Sequence, residues 1–146
     1  MVFASFQQRP IQIGAHESFS KTITESDVAT FAGLVGDFNP QHVDAEYARR
    51  SRLGRRTAHG ILAGGLISAV INTRLPGPGS TWLSQQLEFL APIFIGDTLT
   101  ARVEVVAWEP ERRLLTLKTD CTNQDDRQVV AGQVTLILPE AADPAR

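Results

Sequence analysis

AHGILAGGLISAVINTRL, residues 58–75, holds all but the first residue of the longest uncharged stretch of the chain, Thr57 to Thr73. Its apolar residues point to every side of a helix rather than to one stripe, and such a helix is normally enclosed by protein. His59, Ser68 and Asn72 interrupt the run, and it falls just short of a membrane-spanning length. A buried helix follows. Gly64 and Gly65 each cost about 1 kcal/mol relative to alanine in a helix interior, which implies close approach by another backbone or by a ligand. The run PGPGS, residues 76–80, breaks the helix.

Beyond that breaker the apolar period changes to two. Leu83, Leu87 and Phe89 alternate with polar residues, as do Leu99, Ala101, Val103 and Val105. The same holds for Leu115, Leu117 and Cys121, and for Val130, Val134, Leu136 and Leu138. Four half-buried strands with one wet face read as an antiparallel meander. Turn-like LAPIFIGD, EPERR and NQDDR join them, and an early strand near Phe19 adds a fifth. The economical packing is α+β, a curved antiparallel sheet wrapped around the long central helix. Such a sheet leaves edges, and pairing them across a two-fold axis predicts a homodimer.

Upstream, Thr24 and Asp27 have capping-box spacing at the start of a helix, with Asp in place of the usual Glu or Gln. Val28, Phe31, Ala32 and Val35 form its apolar face, and Gly36 reads as a left-handed cap. GDFNPQHVD, residues 36–44, follows as a pinned loop, because Pro40 disfavours a helical Asn39. VDAEYARR then reads as another short helical turn.

The chain has 146 residues, 42% of them hydrophobic and 21% charged, which suits one globular domain over residues 1–146 with a frayed tail at 139–146. A net charge of −2 offers no basic footprint for nucleic acid. MVFASFQQRP lacks the basic start and apolar length of a secretory signal, and Cys121 is the lone cysteine. No disulfide framework is possible within the chain, and the expectation is a cytoplasmic protein away from membranes.

Asp37 and His42, separated by four residues, can be aimed at one point by a loop pinned between Gly36 and Pro40, as acid–base catalysis requires. Asn39 can bind a substrate carbonyl or brace the loop. The competing explanation is a well-capped turn, since Asp and Asn cap their own backbone and a loop histidine is often only a satisfied surface group. Thr57 or Ala58 is expected to begin the central helix, putting Gly60 in its first turn. Free backbone N–H groups there suit an oxyanion or thioester oxygen, or the glycine merely eases helix packing. ARRSRLGRR, residues 48–56, holds five arginines that suit either a phosphate-bearing carrier or a solvated loop. Metal binding is not expected: His16, His42 and His59 lie far apart in sequence, and His42 with Asp44 lacks partners at ligand spacing. Cys121, on the apolar face of a strand, reads as core rather than nucleophile.

GDFNPQHVDAEYA, AHGILAGGL and LEFLAPIFIGDTLTARVEV together resemble the MaoC-like (R)-specific enoyl-CoA hydratases over most of the chain. The resemblance implies the hot-dog fold, a dimer, and no metal or redox cofactor. It implies reversible syn addition of water to a trans-2-enoyl thioester, giving the (R)-3-hydroxyacyl product. By position, Asp37 and His42 are the acid–base pair, Asn39 orders the loop and the thioester end, and the Gly60 N–H meets the developing oxyanion. Gln41 departs from the aliphatic residue usual after Asn-Pro. The rival readings are a dehydratase of 3-hydroxyacyl groups on acyl carrier protein, a non-catalytic hot-dog partner subunit, and a thioesterase on the same fold.

Overall fold

The computed structural model describes residues 10–140, so the first nine residues and the 141–146 part of the expected tail lie outside the described residues. Five strands form one antiparallel sheet: β1 His16–Thr22, β2 Thr81–Phe89, β3 Thr98–Glu109, β4 Leu114–Thr122 and β5 Gln128–Ile137. Their spatial order is β1-β3-β4-β5-β2, with β1 and β2 at the edges. Helices α1 (Glu25–Val35), α2 (Pro40–Val43) and α3 (Ala45–Arg50) precede the central helix α4, Ile61–Thr73. The early strand near Phe19 is β1, and it pairs with β3 from His16↔Glu104 to Thr22↔Thr98.

Strand alternation places the core. Leu99, Ala101, Val103 and Val105 of β3 are buried, as are Leu115, Leu117 and Cys121 of β4 and Val130, Val134 and Leu136 of β5. They pack against Ala63, Leu66, Ile67, Val70 and Ile71 of α4 in one contiguous cluster. Burial of apolar surface at about 25 cal/mol per Å² is the main stabilising contribution of this helix-on-sheet layer.

The four later strands do not form a simple meander, because β2 pairs with β5 rather than with its sequence neighbour β3. Two further expectations need correction. First, β2 does not present Leu83, Leu87 and Phe89 as one buried face. The register with β5 shifts between Trp82 and Ser84, so Leu83 occupies a bulge and is 54% exposed, while Trp82, Gln85 and Leu87 are half-buried. A bulge moves the side chains beyond it to the opposite face, a reversal that a strict two-residue period misses. Second, α4 is not enclosed on every side. Ile61, Gly64, Gly65, Ser68 and Asn72 line a groove of about 420 Å³ with Trp82, Gln85 and Leu87. The central strands cover the face of the helix that takes Ala63, Ile67 and Val70 into the core, while edge strand β2 borders the groove. Close approach does explain Gly64, where a Cβ would stand 3.1 Å from Leu87 Cδ1. Gly65 faces open space.

Local chemistry sets the element ends. Thr24 and Asp27 form the reciprocal capping box, and Lys21 Nζ adds an ion pair to Asp27 at 2.8 Å. The lysine hydrogen bond, followed by the Thr24 backbone N–H, holds the Asp27 carboxyl below its usual range. Gly36 closes α1 at φ 82°, a conformation that strains any residue with a Cβ. Of the expected apolar face of α1, Val28 and Ala32 are buried, Phe31 is half-buried and Val35 is exposed.

Candidate active site

The GDFNPQHVD segment divides into a short turn and a helix. Pro40 occupies the first position of α2, where its missing N–H costs nothing. The Asn39 side chain caps that helix, its Oδ1 accepting the Gln41 N–H at 3.0 Å. Asp37 Oδ1 in turn accepts the Asn39 N–H at 3.2 Å. Helical winding from Pro40 rotates His42 inward, while Asp37 stays on the turn with its side chain 48% exposed. Asn39 therefore serves the bracing role with its oxygen, leaving its Nδ2 group for any contact with substrate.

Two hydrogen bonds made by Gln41 strap this segment to the residues before α4, which are themselves tied to residues 93 and 94. Gln41 accepts the Thr57 N–H at 3.2 Å through its backbone carbonyl, and its side-chain Nε2 donates to the Arg55 carbonyl at 2.9 Å. Gln41, the departure from the aliphatic pattern, thus ties the loop across to its neighbour. The Ala58 N–H bonds the Ile93 carbonyl at 2.8 Å, and Thr57 bridges to Phe94. Helix α4 begins at Ile61 with Gly60 as its N-cap, later than expected from Thr57 or Ala58. The strapped strand-like backbone at Thr57 and Ala58 is incompatible with helix, which delays the start.

His42 Nδ1 lies 2.8 Å from the Thr57 carbonyl oxygen, an acceptor that requires the ring hydrogen on Nδ1. In the neutral ring Nε2 is then left with its lone pair, the arrangement a proton acceptor needs. His59 is the residue that sequence spacing missed. It is 2% exposed, its ring centroid is 4.1 Å from that of His42, and Nε2 donates to the Asp37 carbonyl at 3.0 Å. Donor atoms of Asp37, His42 and His59 all lie within 4.8 Å of one another. The expectation that the histidines are scattered is corrected for His42 and His59, which the fold stacks together. Both rings, however, already commit one nitrogen to a backbone carbonyl. The available signal was the His-Gly pair itself, a histidine directly before the expected oxyanion glycine.

Gly60 needs its missing side chain for space rather than for φ, which is an ordinary −56°. A Cβ there would lie 2.9 Å from Phe89 Cδ1. Among the described residues no acceptor takes the Gly60 N–H. His42 and Gly60 share a cavity of about 460 Å³ with Arg52, Leu53, Thr57, Phe89 and Pro92.

The five arginines separate by partner. Arg49 and Arg50 approach Glu46 at 3.0 and 3.8 Å. Arg56 pairs with Glu25, and Arg55 lies 3.7 Å over the Phe94 ring. Arg52 forms no ion pair among the described residues and lines the cavity.

The chain matches the MaoC-like domain family over residues 7–128. It is 46% identical over 129 residues to the (R)-specific enoyl-CoA hydratase of Rhodospirillum rubrum, covering 88% of this chain and 89% of that one. It is 44% identical over 136 residues to the 3-hydroxybutyryl-CoA dehydratase of Methylorubrum extorquens, covering 92% and 86%. Among solved structures, the (R)-hydratase of Aeromonas caviae involved in PHA biosynthesis superposes with a TM-score of 0.86 at 37% identity, covering 90% of this chain and 99% of that one. A sheet wrapped on a central helix, matched in sequence and in shape over nearly its whole described length, makes this chain a member of the MaoC-like family with the hot-dog fold.

Proposed function

We propose that this protein is an (R)-specific enoyl-CoA hydratase, adding water reversibly and syn across trans-2-enoyl-CoA to give (R)-3-hydroxyacyl-CoA. The observation that carries the reading is the gathering of the Asp37 carboxylate and the His42 ring within 4.8 Å, with His42 and Gly60 on one cavity. A water held between Asp37 and His42 gives a proton to this pair as its oxygen bonds the β-carbon. Negative charge moves to the thioester oxygen, where the Gly60 N–H at the N-terminus of α4 receives it. The pair returns the proton to the α-carbon, so the alkene π bond and one O–H bond break while one C–O and one C–H bond form. Asn39 orders the loop and the thioester end. No step calls for a metal or a redox cofactor.

A second reading keeps the site and changes the carrier: dehydration of a 3-hydroxyacyl group on acyl carrier protein. A non-catalytic partner subunit is less well supported, because it has no use for Asp37 and His42 held together beside a free Gly60 N–H. The chain acts in our reading as one domain and as a homodimer in the cytoplasm. Exposed edge strands support the dimer, and the single buried free thiol of Cys121 suits a reducing compartment. Among the described residues no helix is long and apolar enough to cross a membrane.

The test is loss of the conjugated enoyl absorbance when purified protein meets trans-2-enoyl-CoA, with and without a chelator. Wild type removes the absorbance in both cases and forms the (R) product on chiral analysis. Folded Asp37→Asn and His42→Ala variants fall by at least about 100-fold, the scale of general acid–base catalysis. Folded wild type that leaves every chain length of enoyl-CoA untouched refutes the CoA reading, and acyl carrier protein thioesters are then assayed.

A further inference from the structure

Histidine is a costly residue at position 59. The side chain is almost wholly buried, where an apolar residue of similar size avoids the cost of removing polar atoms from water. Only one of its ring nitrogens is compensated. Nε2 donates to the Asp37 carbonyl at 3.0 Å, while Nδ1 is buried without a partner. A bare lone pair is the cheaper atom to leave unpartnered, which agrees with the hydrogen residing on Nε2.

What the ring touches explains why this cost is carried. One face packs on Phe31 at a centroid distance of 4.8 Å and another on His42 at 4.1 Å with 37° between planes. The Asp37 carboxylate Oδ2 is 4.0 Å from Nε2. The carbonyl of His59 accepts the Leu62 N–H at 3.0 Å as α4 opens, so the peptide that presents the Gly60 N–H is anchored through the same residue. His59, like Asp37, is absent from the walls of the cavity that His42 and Gly60 share. At 2% exposure it acts through its contacts with Asp37 and His42 rather than on a ligand.

We propose that His59 is a positioning residue that sets the mutual geometry of Asp37, His42 and the Gly60 N–H. Its Nε2–H holds the Asp37 backbone, its ring fixes the plane of His42, and its peptide orients the oxyanion donor. The inference rests on the hydratase reading. Holding a base, a water and an oxyanion donor in reacting geometry is where small displacements cost most, on the order of 100-fold for about 1 Å.

The experiment compares His59→Phe, which keeps a planar ring and removes the donor, with His59→Gln, whose amide N–H can reach the same carbonyl. Each variant is assayed for kcat and KM on trans-2-enoyl-CoA and for Tm. Long-range 1H–15N spectra report the histidine tautomers, and amide shifts report residues 37–39. The expected result for His59→Phe is a kcat loss of about 10- to 100-fold, with KM within about twofold of wild type and shifted Asp37–Asn39 amides. His59→Gln recovers most of the kcat, and wild-type His59 carries its hydrogen on Nε2.

Wild-type kcat in folded His59→Phe overturns the proposal. So does a kcat in His59→Gln no better than in His59→Phe, or a loss in both variants that merely follows Tm. If His59→Phe does not fold, His59→Gln and the wild-type tautomer decide: a hydrogen on Nδ1 refutes the role. An inactive wild type refutes the hydratase reading instead, while the tautomer and the Asp37 amide shifts still report the positioning contact.

Discussion

At the scale of single residues, Cys121 shows how burial disarms a nucleophile. Its Sγ lies 3.7 Å from the Ala63 carbonyl, between β4 and α4. Burial first, and the charge of Asp120 second, push the thiol up to about 12. Only the thiolate attacks electrophiles, so the native thiol is predicted to resist iodoacetamide at pH 8 and to react once the chain is unfolded in urea. The same shift has a sign in stability. An unfolded cysteine ionises near ~8.5, whereas the folded one stays protonated to about 12. The contribution is therefore intact below ~8.5 and is lost as pH rises through that window. Urea unfolding at pH 7 and pH 10 should show a smaller loss of stability for Cys121→Val than for wild type. Equal losses in the two proteins would contradict the burial argument.

At the scale of elements, the segment from α3 to the start of α4 separates structure from binding among five similar side chains. Four arginines are occupied by Glu46, Glu25 or the Phe94 ring, and Arg52 is on the cavity wall. An unpaired guanidinium beside the proposed thioester site suits the phosphates of the carrier. Arg52→Ala is expected to raise KM for enoyl-CoA roughly 5- to 20-fold, the loss of one charge-assisted hydrogen bond, while kcat stays near wild type. A thioester of pantetheine without phosphate should show almost no change in KM. Equal effects on both substrates would place Arg52 in the structure of the loop rather than in carrier recognition.

The same segment shows how far element reading goes. The Thr24–Asp27 box and the Gly36 cap were legible because both act within a few residues. Helicity after Pro40 also rests on local signals, the Asn39 cap and proline at the first position, which the loop reading overlooked. The late start of α4 was not legible, because it depends on Thr57 and Ala58 bonding to residues 41 and 93.

For the whole molecule, the open edge of β2 is the feature most in need of a partner. Leu83, Phe89 and Leu90 are 54%, 57% and 49% exposed on and just after this strand. Large apolar side chains beside an unpaired strand edge invite association. Sedimentation equilibrium is predicted to give twice the chain mass. A Leu83→Glu/Phe89→Glu double variant should sediment as a folded monomer, and a wild-type monomer at micromolar concentration would overturn the dimer.

Local pattern determined much of this protein: the existence of the four later strands and the alternation of β3, β4 and β5, the apolar central helix, the capped first helix, and a pinned loop carrying Asp37 and His42. Those features follow from periods of 2 and 3.6 residues and from side chains that bond their own backbone, which one sequence displays in full. Tertiary structure alone decided which face of α4 stays open, where the β2 bulge turns Leu83 outward, and that His59 joins His42. Each depends on groups distant in sequence meeting across the sheet or between segments. The stacking of two imidazoles 17 positions apart is set by the bonds from Thr57 to Gln41 and from Ala58 to Ile93, and no period in the chain encodes it.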